Sequence, residues 1–176
     1  MFFSVFFAHV ANSQTEKQKQ WADSVLKTLS TEQKIAQLCM VAAYSNKDEK
    51  HVAEIESLIV NYQIGGLIFM QGGPGRQSRL YNRFQSQSKI PLLVGIDGEW
   101  GLAMRLDSTI SYPKQMALGA IQDNNLILEM GKQIARECKR VGVHMNFAPV
   151  VDINVNPQNP VIGYRSFGEQ KEMVAQ

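Results

Sequence analysis

Pro91-Leu92-Leu93-Val94-Gly95-Ile96-Asp97 is an apolar run of strand length that opens on a proline and closes on a carboxylate. Its residues do not alternate between apolar and polar, so the strand it predicts is a buried one of a parallel sheet. Two upstream runs share that character: Leu38 to Ala43, and Leu67 to Met70 after the Gly65-Gly66 break. Val143 to Val150 predicts a fourth strand downstream. Helical spacing fills the intervals. Asp48 to Tyr62 puts Val52, Ile55, Leu58 and Ile59 on one side, and a polar helix runs through Leu80, Tyr81 and Phe84. Gln71 to Gly75 is read as the loop before that polar helix. A long loop after Asp97 leads to a helix from about Asn124 to Val141, with Asp123 as its cap and Gly142 as its stop. Ile127, Met130, Ile134 and Cys138 supply its apolar face. Before the first strand, Trp21, Val25, Leu26 and Leu29 mark a helix, and Ser30 with Gln33 reads as a capping box. Glu169 to Gln176 begins one more helical pattern.

Strand and helix thus repeat about four times, which predicts an α/β chain with a parallel sheet covered by helices. Spacing leaves two architectures open, a doubly wound sheet or a piece of a (β/α)₈ TIM barrel. A complete barrel takes about 250 residues, so on the barrel reading 176 residues supply its N-terminal half, about four β/α units.

Composition narrows the function classes. Eighteen Lys and Arg against sixteen Asp and Glu leave a formal charge of +2, too little and too evenly spread for a nucleic-acid surface. With 44% hydrophobic and 19% charged residues the chain can build a core. No apolar run reaches the ~18 residues of a membrane-spanning helix. Cys39 and Cys138 make no disulfide framework, no Cys/His cluster has zinc spacing, and both cysteines are read as small buried residues. Met1 to Ala11 is apolar, the chain turns polar at Asn12-Ser13, and residues 1–13 read as a signal-peptide-like segment that points to export to the periplasm or beyond. Residues 14–33 form an N-terminal helical segment and 34–176 the partial barrel.

Polar residues gather after the third and fourth strands, where α/β folds place their sites. After the third comes Asp97-Gly98-Glu99-Trp100-Gly101, then Arg105; after the fourth come Asn146, Pro149, Asp152, Asn159 and Arg165-Ser166-Phe167-Gly168. A carboxylate accepts from neighbouring hydroxyls and a guanidinium donates through a fixed fork, so this set suits a ligand made of hydroxyls.

From Lys34 to Gln176 the chain resembles the N-terminal barrel of glycoside hydrolase family 3, on Ile96-Asp97-Gly98-Glu99-Trp100-Gly101 with Arg105, Asn146 to Asp152, and Asn159 to Gly168. The last of these resembles the β-N-acetylglucosaminidase branch. Trp100 departs from the family's Asp-x-Glu-Gly-Gly pattern, in which a glycine stands there. The resemblance implies a retaining hydrolase that removes terminal β-linked N-acetylglucosamine and needs no cofactor or metal. It implies that Asp97 holds ring hydroxyls of the sugar and that Arg105 and Arg165 line the same subsite. Asp152 is a further subsite carboxylate and Trp100 a stacking candidate. The family's nucleophilic aspartate, its histidine–aspartate acid/base and its Lys-His motif would all lie beyond Gln176, so no catalytic residue is assigned here. Two other readings stand beside it: a non-catalytic sugar-binding or assembly half-barrel, and a β-glucosidase-type member of the same family.

The remaining features read as structural. Asp97 and Glu99 would share a face at ~6–7 Å on a continuing strand, but Gly98 turns the chain, so they are not a catalytic pair. Lys50-His51 is a solvated helix end, and His144 a hydrogen-bonded core residue. Lys132, Arg136, Lys139 and Arg140 are a solvated face. The glycines around Pro74 lack the Lys-Ser/Thr of a phosphate loop.

Overall fold

The computed structural model describes residues 15–121 and 123–176; the apolar segment 1–13 lies outside them. The chain opens with helices α1 (Glu16–Thr28) and α2 (Thr31–Ala36), and then β1 (Met40–Tyr44) leads into α3 (Glu49–Ser57). Next come β2 (Gly66–Gln71), α4 (Pro74–Gln87), β3 (Leu93–Ile96), α5 (Gln115–Gly119) and α6 (Asn124–Arg140). The described chain ends with β4 (Met145–Asn146) and α7 (Lys171–Ala175). The four strands lie in one sheet in the order β1-β2-β3-β4, every pair parallel. Sequential order with a crossover between each pair is the opening half of a (β/α)₈ barrel rather than a doubly wound sheet, whose order reverses at a switch point.

Caps fix the helix starts. Ser30 and Gln33 form the expected capping box, Thr15 and Gln18 form a second at α1, and Asp48 and Asp123 accept from the first turns of α3 and α6. Gly142, at φ 77°, ends α6 in the left-handed region that a side chain disfavours. Pro74 occupies the first turn of α4, so the expected loop at 71–75 is shorter: Gln71 belongs to β2 and Pro74-Gly75 to the helix. The expected continuous helix from Asp48 to Tyr62 changes pitch, its last turn, Leu58–Tyr62, being π-helical.

One face of the sheet is packed. Ala43, Leu67, Phe69, Val94 and Ile96 bury themselves against Val52, Ile55, Ile59, Phe84 and Ile134 from the helices. Residues of the other parity, Met40, Ala42, Ile68, Met70 and Leu93, are half-buried or exposed. An open inner face is what half of a barrel entails. A barrel interior is filled by layers of side chains contributed from all around the ring, and four strands make only part of each layer. Strand β4 is shorter than expected, because beyond Asn146 only Phe147 still donates to β3, to the Ile96 carbonyl at 2.8 Å, and Pro149 has no N–H to offer. β1 starts at Met40, two residues after the expected run, and Leu38 is 88% exposed.

Two histidines are corrected as well. His51 is not a solvated end: half-buried, it accepts the Tyr44 N–H at 3.1 Å on its Nε2 and so closes an edge bond of β1. His144 is hydrogen-bonded as expected, its Nδ1 accepting from the Val94 N–H at 3.0 Å, but it is exposed rather than in the core. Cys39 is likewise exposed, whereas Cys138 is buried. Among the described residues no helix is long and apolar enough to cross a membrane.

The His51 bond is pH-sensitive. Burial, then the Lys47 ammonium, hold its imidazole below the ordinary range, against the opposing pull of Glu54 and Asp48. A folded pKa below the unfolded value means that the unfolded chain binds the extra proton. The stabilisation is therefore complete above the ordinary imidazole range and is lost as pH falls through and below about 6.5. His51→Ala should cost about 1 kcal/mol at neutral pH. In urea titrations the gap between wild type and variant should narrow from pH 7.5 to pH 5; a constant gap would contradict the assignment.

Candidate functional site

The site is built where β3 and β4 end. Asp97 follows the last residue of β3, and the chain then turns sharply. The turn is held by Asn146 of β4, whose Oδ1 accepts the Gly98 N–H at 2.9 Å while its Nδ2 donates to the Gly98 carbonyl at 3.2 Å. Both backbone groups of Gly98 are thus satisfied from the neighbouring strand, and the next strand's side chain sets the direction in which Asp97 and Glu99 point. Gly101 has φ 85°, and a Cβ there would strike the Tyr112 ring at 2.5 Å. Tyr112 packs on that glycine, donates its N–H to the Trp100 carbonyl at 3.1 Å and gives its hydroxyl to Glu137 at 2.7 Å. Burial, then the Glu137 carboxylate, push its phenol up to about 12, so it stays a hydrogen-bond donor throughout the physiological range.

Two carboxylate–guanidinium pairs dominate the electrostatics. Arg105 donates its Nε to the Asp97 carbonyl at 3.0 Å and an Nη2 hydrogen to Asp97 Oδ2. The Asp97 side chain is 28% exposed, and among the described residues no donor reaches its Oδ1. It is an oriented carboxylate with one oxygen open to a ligand. Glu99 is its opposite, with a side chain only 2% exposed. Arg165, carried by a turn of 3₁₀ helix at Gly163–Arg165, lies against both its oxygens, with Nε at 3.1 and 3.0 Å and Nη2 at 2.6 Å. Hydrogen bonds to Glu99 foremost, and the nearby Asp97 charge, hold the Arg165 proton more tightly than usual.

The sequence-predicted residues therefore converge in part. Asp97, Arg105 and Arg165 meet at one mouth. Trp100 stands at its rim, half-buried, with the Lys114 ammonium 4.9 Å from its ring; the same ammonium lies 3.9 Å from Tyr164. Asp152 differs: its side chain is exposed, and its part in the loop is played by its carbonyl, which accepts the Ser166 hydroxyl at 2.6 Å. The buried Ser166 hydroxyl also accepts the Gly168 N–H at 3.2 Å, which folds the Arg165 loop back on itself. Glu99, Gln115 and Lys114 escaped the sequence reading. Glu99 lies two residues from Asp97 in sequence, but its burial and its Arg165 partner sixty-six residues away are tertiary facts with no local signal.

A second cavity must be separated from this mouth. An apolar groove of about 600 Å³ runs between α6 and β4, walled by Ile127, Met130, Ile134 and Val143 and reaching beneath Glu99. It takes in neither Asp97 nor either arginine, and its walls offer little to hydroxyls. Among the described residues no cluster of His, Cys, Asp and Glu could hold a metal ion.

Comparison with known proteins gives the same picture of the fold. The family model described as the glycosyl hydrolase family 3 N terminal domain matches residues 30–176. Beta-hexosaminidase A of Pseudoalteromonas piscicida is 33% identical over 134 residues, which are 69% of this chain and 22% of that protein. A solved family 3 β-N-acetylglucosaminidase from Paenibacillus sp. str. FPU-7 superposes with a TM-score of 0.73 at 36% identity, over 84% of this chain and 29% of its own. The beta-glucoside phosphorylase BglX bound to 2FGlc reaches a TM-score of 0.85 at 24% identity, over 93% of this chain and 29% of its own, a likeness of fold alone. The chain thus spans less than a third of the length of each.

The Asn146–Gly98 clamp is testable by itself. Asn146→Ala leaves the buried Gly98 N–H without a partner, while the Gly98 carbonyl keeps the Gly101 N–H at 3.2 Å, and should destabilise the chain by about 1–2 kcal/mol, read as a shifted urea midpoint. A shift under a few tenths of a kcal/mol would mean that the turn holds without it.

Proposed function

Because this chain belongs to glycosyl hydrolase family 3, we propose that it holds the terminal β-linked N-acetylglucosamine of a glycan, as the sugar-binding part of a retaining β-N-acetylhexosaminidase. The observation that carries the reading is Asp97: a carboxylate at a strand's C-terminal end, oriented by Arg105, with Oδ1 open to vicinal hydroxyls. Such charge-assisted bonds contribute about 1.5–3 kcal/mol each. Arg105 and Arg165 donate around the same sugar, and Trp100 at the rim offers a ring face to its apolar side. Asp152 belongs to this proposal only through the loop it shapes. The choice of N-acetylglucosamine over glucose is supported by the 36% identity to the Paenibacillus β-N-acetylglucosaminidase.

Retaining hydrolysis takes two carboxyl groups ≈ 5–5.5 Å apart, one to attack the anomeric carbon while the other protonates the departing oxygen, after which water releases the sugar. Among the described residues both carboxylates at the mouth are held by arginine: Asp97 is engaged by Arg105, and Glu99 is buried under Arg165. On this reading the nucleophile and acid/base come from later strands of the barrel, as the family resemblance implies, and the chain by itself binds without cutting. Export to the periplasm or beyond is part of the same proposal, resting on the apolar segment 1–13.

The test is affinity for methyl β-N-acetylglucosaminide by calorimetry, beside an assay with the p-nitrophenyl glycoside. Binding without turnover is expected, and Asp97→Ala should weaken it at least about a hundredfold, two such bonds being lost. Turnover by the purified chain would place catalytic groups within it. Preference for methyl β-glucoside would favour the β-glucosidase-type reading, and failure to bind either sugar would sink the proposal.

A further inference from the structure

We propose that Glu99 is the positioning residue for Arg165: its buried carboxylate fixes the guanidinium at the mouth so that Arg165 can donate to the sugar, and it makes no contact with the sugar itself. The inference rests on the binding role given to Arg165 above and goes beyond it, in assigning the geometry of that role to a second residue.

Three observations converge. The pair joins two loops far apart in sequence, since Glu99 follows β3 and Arg165 lies sixty-six residues further on. Apart from the pair, the loop carrying Arg165 is held by Ser166, by its packing on α5, where Gly119 lies against the Phe167 carbonyl, and by the exposed Lys114 between Trp100 and Tyr164; none of these contacts orients the guanidinium. Second, Glu99 is itself rigid. Its carbonyl accepts from Gln115 Nε2 at 2.8 Å, with Gln115 wholly buried, and the residue before it is clamped by Asn146. The carboxylate is a fixed anvil rather than a mobile counter-ion. Third, the donor count leaves Arg165 work to do. A guanidinium has five N–H hydrogens. Nε–H and one Nη2 hydrogen go to Glu99, and one Nη1 hydrogen goes to the Val161 carbonyl at 3.3 Å. Two remain, one on each terminal nitrogen, fixed in direction by the fork, on a residue whose side chain is 29% exposed.

Charge, not bulk, is what this role requires. In Glu99→Gln an amide NH₂ meets the guanidinium, donor against donor, and one acceptor is lost, although shape is kept. Glu99→Asp keeps both acceptors on a shorter arm. The experiment measures methyl β-N-acetylglucosaminide affinity for wild type, Glu99→Gln, Glu99→Asp, Arg165→Met and the Glu99→Gln/Arg165→Met double variant, with a urea midpoint for each. Glu99→Gln and Arg165→Met should each weaken binding about tenfold, the double variant no more than Arg165→Met alone, and Glu99→Asp should recover most of the loss. Wild-type affinity in Glu99→Gln, or a double-variant loss equal to the product of the single ones, overturns the proposal while leaving sugar binding intact. Should Glu99→Gln fail to fold, Glu99→Asp decides: affinity as low as that of Arg165→Met in a folded protein also overturns it. Wild-type affinity in Arg165→Met would instead refute the binding role of Arg165 on which the inference rests.

Discussion

Neighbouring parallel strands cannot be joined by a tight turn; each pair needs a crossover that carries the chain back to the starting edge. Everything else in this chain follows from meeting that requirement three times over. The crossovers are the helices that cover one face of the sheet, and their apolar sides, Val52, Ile55, Ile59, Phe84 and Ile134, bury the residues of one strand parity. Because every strand runs the same way, every strand also ends at the same rim. Asp97 and Asn146 therefore come to stand side by side although forty-eight residues separate Gly98 from its clamp.

The rim shows how a polar site is assembled on an apolar scaffold. Each backbone group of Gly98 is answered by a single amide from the next strand, and each of the two acids is answered by its own arginine. The arginine pairs differ in kind. Arg105 lies eight residues from Asp97 in one loop and orients a carboxylate that is still partly open to solvent. Arg165 comes from a distant loop and meets a carboxylate almost wholly withdrawn from water, where an unpaired charge is far more costly. The first arrangement leaves an acceptor available for a ligand; the second spends its acceptors on holding the fold of the rim.

Much of this was legible in the sequence because local chemistry and tertiary structure agree. Ser30 with Gln33, Asp123 before α6 and Gly142 after it mark boundaries with side chains whose physics is local. The parallel sheet could be read from uninterrupted apolar runs, and Asp97, Arg105 and Arg165 from a family pattern whose model matches this chain. What could not be read depends on pairing across the sheet. Periodicity is blind to the half-bare inner face, which reflects how many strands share a layer. It is blind also to His51 as a backbone acceptor for β1, since only the register of strand and helix brings Tyr44 to its ring. The partner of Glu99 is hidden for the same reason, sixty-six residues away, although the turn at Gly98 that parts it from Asp97 is legible locally.

The chain has two tryptophans, and their placement gives the site an optical reporter. Trp21 lies on α1 and is 57% exposed, in surroundings that owe nothing to the rim. Trp100 sits half-buried at the rim, its indole facing the Lys114 ammonium, a charge whose position depends on Tyr164 across the mouth. With the α1 tryptophan replaced by phenylalanine, the remaining emission would come from the loop after β3 alone. Its wavelength would follow the field of that one cation, and so the closeness of two loops otherwise visible only in coordinates.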